Sequence, residues 1–104
     1  MSTVKSAEKI LKVLKALSGH SLKGISNQEL SKQLDESPSQ ITRALKTLVS
    51  EGFAQQLDDG SYALGNKLVS MAHAHAEEIN RAQNNINEHV QRVWAGVNQI
   101  NSGS

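Results

Sequence analysis

The 104-residue chain contains no cysteine, which excludes disulfides and thiolate metal sites. No apolar run approaches the roughly 18–20 residues that a membrane span requires. Its first residues, MSTVKSAEKILK, interleave lysines with apolar residues and offer no uninterrupted apolar block of the kind a signal peptide needs. There is no phosphate-binding loop and no Ser/His/Asp set. The adjacent acidic pairs, Asp58-Asp59 and Glu77-Glu78, diverge instead of converging on a cleft. His73 and His75 stand two apart, about 200° around a helix, so they cannot share an ion. No enzyme, no metal and no cofactor are expected. Proline occurs once, at position 38, and so interrupts nothing after it.

What is present is an ordinary balance, 38% hydrophobic and 20% charged, which fits one small soluble domain with a modest core and an appended helix. The net charge is only +1, but it is unevenly spread. Residues 1–57 carry eight Lys/Arg against five acids, a balance of +3, and residues 58–104 carry three against five, a balance of −2. Attraction to a polyanion therefore belongs to the first half.

Apolar periodicity orders the elements. Ala7, Ile10, Leu11, Leu14 and Leu17 place a helix over 6–18, with Lys5, Lys9 and Lys12 on another face, and the Gly19–Gly24 stretch breaks it. Ser26 and Glu29 form a capping box for a short second helix with Leu30 and Leu34 inward. Ser37 as cap, Pro38 in the first turn and Gln40 completing a second capping box start a third, whose expected buried stripe is Ile41, Ala44, Leu45, Leu48 and Val49 and whose stop is Gly52. The segments Phe53–Leu57 and Ser61–Leu64 flank Asp58-Asp59-Gly60, a hairpin signal. Two short capped helices followed by a hairpin predict a mainly α winged helix-turn-helix over 1–66. From Lys67 to about Ile100 the pattern is helical again. Leu68, Ala72, His75, Ile79, Ala82, Ile86, Val90, Val93, Val97 and Ile100 recur at steps of three and four, with one stutter near Ile86–Val90. Such a helix, some 45 Å long at 1.5 Å per residue, is too long to hide its stripe on so small a body. It is expected to pair with a second copy, the alternative being a fold back onto its own domain. Trp94 is expected at that pairing surface with Leu68, Ala72, His75, Ile79, Ala82, Ile86, Val90, Val93 and Val97. Residues 101–104 are expected to be a disordered tail.

The segments SAEKILKVLKAL (6–17), ISNQELSKQL (25–34), SPSQITRALKTLVSEGF (37–53) and DDGSYALGNKL (58–68) together resemble the N-terminal DNA-binding domain of the IclR family of bacterial transcription regulators. The resemblance implies a recognition helix ending in Leu-x-x-x-Gly-aromatic and a wing closing on GSYALG, Gly60 to Gly65. Two positions depart from its pattern. Asp35 stands where a turn glycine is common, which the left-handed tolerance of Asp accommodates, and Glu36 stands where an apolar residue is usual, so a less buried turn is expected. The family's effector-binding domain is not matched, a long helix taking its place, and no small-molecule effector is expected.

The polar side of the third helix suits the major groove, because an α-helix fits it, Arg pairs bidentately with guanine and Gln with adenine. Ser39, Gln40 and Arg43 are assigned to bases, and Thr42, Lys46 and Thr47 to bases or phosphates. Lys67 and, from the hairpin flanks, Gln55, Gln56 and Ser61 are placed near the backbone. Asp58 and Asp59 would repel phosphate, so the hairpin tip is expected to be a plain turn. The lysines of the first helix are expected to be solvated, with Lys5 and Lys9 near flanking phosphates. The expected function is that of a cytoplasmic, homodimeric, sequence-specific regulator of transcription, a repressor by promoter occlusion, in a bacterial nucleoid or on a mobile element. The alternatives are an architectural or bridging protein with little sequence preference, and an interaction module whose winged helix no longer binds DNA.

Overall fold

A computed structural model describes residues 2–102. Helix α1 spans Lys5–Ala16, α2 Asn27–Leu34, α3 Pro38–Ser50, strand β1 Ala54–Gln56, β2 Tyr62–Leu64 and α4 Asn66–Ser102. The order is that of a mainly helical winged helix-turn-helix followed by a long helix. The chain divides into two units, residues 1–70 and 71–104.

In the first unit, α3 packs against both α1 and α2 and runs into β1. Its core is Val13 and Leu17 from the first helix and its end, Ile25 from the loop, Leu30 from α2, Ile41, Ala44, Leu45 and Leu48 from α3, and Ala54 from β1. Full burial of side chains such as Leu17, Leu30 and Leu45 contributes about 1.5–3 kcal/mol each. The stripe of α1 is rotated from the expected one. Val13 is buried, while Leu11 is 53% exposed, because Ile10, Val13, Leu14 and Leu17 follow the i, i+3, i+4, i+7 rule and Leu11 lies about 100° from Ile10. Likewise Val49, at the margin of the Ile41–Leu48 arc, is 40% exposed instead of buried.

Local chemistry sets the ends of these helices. The Ser26 side chain accepts from the Glu29 N–H and that of Ser37 from the Gln40 N–H, with Pro38 in the first turn of α3. Asp35, at φ 55°, closes α2 in the left-handed region, and it is the one non-glycine with positive φ among the described residues. Its neighbour Glu36 is half-buried. Gly52, at φ 82°, closes α3. The Phe53 N–H donates to Leu48 C=O and the Gly52 N–H to Val49 C=O, the paired bonds of a Schellman stop.

The wing is an antiparallel pair with Ala54 opposite Leu64, Gln55 opposite Ala63 and Gln56 opposite Tyr62. Ile25 joins β2 as an isolated bridge, exchanging backbone bonds with Tyr62, each 2.8 Å long. The hairpin closes through Gly60 N–H to Leu57 C=O and Leu57 N–H to Ser61 C=O, with Gly60 at φ 87°.

Helix α4 is 37 residues long, about 55 Å at 1.5 Å per residue. It begins at Asn66, one residue before the expected start, and continues over Asn101 and Ser102, the first half of the expected tail. Neither residue prevents the next i to i−4 bond, so propagation carries the helix on. The rest of that tail, residues 103 and 104, lies outside the described residues. From Met71 to Ile100 every side chain is exposed apart from the half-exposed Gly96. No helix among the described residues is long and apolar enough to cross a membrane.

Candidate nucleic-acid interface

The buried arc of α3 determines what its other side presents. With Ile41, Ala44, Leu45 and Leu48 inward, residues 39, 40, 43, 46 and 47 fall within roughly 120° on the opposite side at 100° per residue. All of these, Ser39, Gln40, Arg43, Lys46 and Thr47, are exposed. Neither Arg43 nor Lys46 has an ion-pair partner among the described residues, so their charge is available to a ligand from outside. Beside this face runs a groove of about 290 Å³, in which Ser6 and Lys9 of α1 oppose Gln40, Arg43 and Thr47 of α3.

Thr42 is placed differently from its neighbours. It is half-buried, its hydroxyl donates to Pro38 C=O at 2.9 Å and accepts from Asn27 Nδ2 at 2.6 Å, and it thereby ties α3 to α2. Thr47 donates to Arg43 C=O at 3.1 Å while remaining exposed. Sequence reasoning did not find Asn27. Its partners lie 11 and 15 residues away, beyond the reach of any local pattern.

Gln40 also departs from expectation. Its carboxamide oxygen accepts from Lys9 Nζ at 2.8 Å, so the side chain is turned toward α1 and not back over Ser37 to finish a capping box. Lys9 Nζ lies 3.8 Å from a Glu36 carboxylate oxygen. Lys9, expected to be solvated near flanking phosphates, links α1 to the turn between α2 and α3 through Glu36 and to the first turn of α3 through Gln40.

In the first turn of α4, Lys67 is exposed and its N–H donates to Gly52 C=O at 3.0 Å, which places it beside the end of α3. Gln55 donates to Leu64 C=O at 3.1 Å and Gln56 to Gly60 C=O at 3.3 Å. At the tip, Asp59 accepts from the Ser61 hydroxyl and the Ser61 N–H, and these bonds hold its carboxyl below the ordinary value of 3.8. Its negative charge is thus held in place as part of a closed turn.

Of the residues expected on the pairing surface, Leu68 is half-buried, and Ala72, His75, Ile79, Ala82, Ile86, Val90, Val93, Trp94 and Val97 are exposed along α4. His73 pairs with Glu77 at 3.1 Å, one turn along the helix. No group of three or more His, Cys, Asp or Glu among the described residues could hold a metal ion.

Comparison with known proteins gives this arrangement relatives. The model of the IclR helix-turn-helix domain matches residues 6–58. Among solved structures, the crystal structure of Pseudomonas aeruginosa HmgR is similar to this chain, with 32% identity and a TM-score of 0.59. The match covers 68% of this chain and 29% of the HmgR chain, so this chain corresponds to less than a third of that protein. No curated protein matches.

Proposed function

Because the chain belongs to the IclR helix-turn-helix family, we propose that it is a sequence-specific DNA-binding regulator of transcription that acts as a homodimer and represses by occluding promoters. The observation that carries this reading is the exposed face of α3. It bears Arg43 and Lys46, two cations without an ion-pair partner among the described residues, beside the hydrogen-bonding side chains of Ser39, Gln40 and Thr47. A helix presenting Arg and Gln from its N-terminal half has the chemistry to read base edges in a major groove. Lys46, Thr47 and Lys67 supply backbone contacts. The engaged hydroxyl of Thr42 makes it a brace for α3 in this reading, with its contribution to DNA indirect.

Pairing rests on α4. An isolated helix gains little from propensity and gains most from burying an apolar face, and here Ile79, Ile86, Val90, Val93 and Val97 are exposed at heptad-like spacing. A second copy of the same helix is the partner whose stripe matches this one in length and period. Two-fold pairing calls for an inverted-repeat site with half-sites about one turn, or a multiple of it, apart. Such a protein works in the cytoplasm at the bacterial nucleoid.

Selection of bound fragments from random duplex DNA tests the reading. The wild-type chain should enrich an inverted repeat, Arg43→Ala should relax one base position and weaken binding by about 1–3 kcal/mol, and binding should fall steeply with salt. Enrichment of no motif, with equal affinity for all duplexes, would replace the regulator by an architectural protein. Absence of binding to any duplex would leave an interaction module.

A further inference from the structure

The contact between Lys9 and Gln40 decides what Gln40 is able to read. A lysine ammonium has three donors and no acceptor. The atom that faces Lys9 Nζ at 2.8 Å is therefore the carbonyl oxygen of the Gln40 carboxamide, and its NH₂ is left to the outside. Lys9 is itself held, with its Nζ 3.8 Å from a Glu36 carboxylate oxygen, and it sits in the groove wall opposite α3. A free glutamine reads adenine with both ends of its amide, accepting from N6 and donating to N7. The oxygen keeps a second lone pair, but the Lys9 ammonium 2.8 Å away opposes the approach of a further donor such as adenine N6, so the donating end is the favoured reader. Guanine offers two adjacent acceptors in the major groove, N7 and O6, whereas adenine sets a donor beside its N7 and cytosine offers a donor.

We propose that Lys9 is a specificity-determining residue that acts through Gln40, shifting it from a reader of adenine toward a donating reader of guanine. The inference rests on the reading of α3 as the base-contacting helix. Glu36, where the family pattern has an apolar residue, completes the device by anchoring the lysine.

The test is a base-by-base selection with four full-length proteins: wild type, Gln40→Ala, Lys9→Met and Lys9→Arg. Circular dichroism melting of each shows that it is folded before it is used. Gln40→Ala identifies the base position that Gln40 reads by flattening its preference. At that position the wild type should favour guanine. Lys9→Met, which frees the carbonyl oxygen, should move the preference toward adenine by about tenfold. Lys9→Arg restores donors and should keep guanine. Adenine favoured by the wild type overturns the inference. So does a Lys9→Met protein whose preference is unchanged while affinity falls uniformly and the salt slope drops by about 1, the signature of a phosphate contact. Loss of guanine with no gain of adenine also overturns it, because Lys9 would then be touching the base itself. If the wild type enriches no motif, the reading of α3 fails, and the inference fails with it.

Discussion

Gly65 shows how a single residue constrains the joint between wing and helix. A β-carbon built there would stand 2.4 Å from Gly52 C=O oxygen and 2.8 Å from the Ala54 nitrogen, and both are backbone atoms that cannot turn aside. Its own N–H donates to Phe53 C=O at 2.9 Å, so the two chain segments are in direct contact. Gly65→Ala should therefore lower stability by about 1–3 kcal/mol, the cost of forcing atoms into a packed site, read as a fall in thermal midpoint. The same scale explains why Arg43 and Lys46 matter more than their number suggests. On a chain of net charge +1, where its cations stand counts for more than their sum.

At the scale of elements, α2 and α3 are bounded by local devices, and these devices fix where each of the two helices begins and ends. Ser37 caps α3 through its side chain, with Gln40 N–H to Ser37 Oγ at 3.3 Å. Ser26 caps α2 in the same way, with Glu29 N–H to Ser26 Oγ at 3.1 Å. Ser37→Ala should cost about 1 kcal/mol in chemical denaturation, and Ser37→Asp should recover it, since Asp accepts the same bond and suits a helix N-terminus. A Ser37→Ala protein as stable as wild type would show that the Lys9–Gln40 and Asn27–Thr42 contacts hold that end of α3 without the cap.

At the scale of the whole molecule, the proposed dimer is decided by α4. The chain should sediment at twice its own mass at micromolar concentration. Val93→Lys, which places a charge in the middle of the stripe, should return it to a monomer and weaken binding to an inverted repeat far more than to a half-site. A wild-type chain that sediments as a monomer at that concentration would refute pairing through α4. The two effects separate the helix from the reading head, because Val93 lies outside the unit that contains α3.

How much was legible in the sequence follows from how local each interaction is. The caps at Ser26 and Ser37, the left-handed stops at Asp35 and Gly52, the hairpin around Asp58-Asp59-Gly60 and the stripe from Ile41 to Leu48 were all readable, because each depends on residues within about one helical turn or one tight turn. By itself the sequence therefore determined the order of elements and the polar side of α3. The tertiary structure alone decided that Val13 and not Leu11 faces the core, that Thr42 is spent on Asn27, and that Gln40 is held by Lys9, 31 residues away. Each of those depends on the angle at which one helix meets another. Packing sets that angle, and no spacing within a single helix records it.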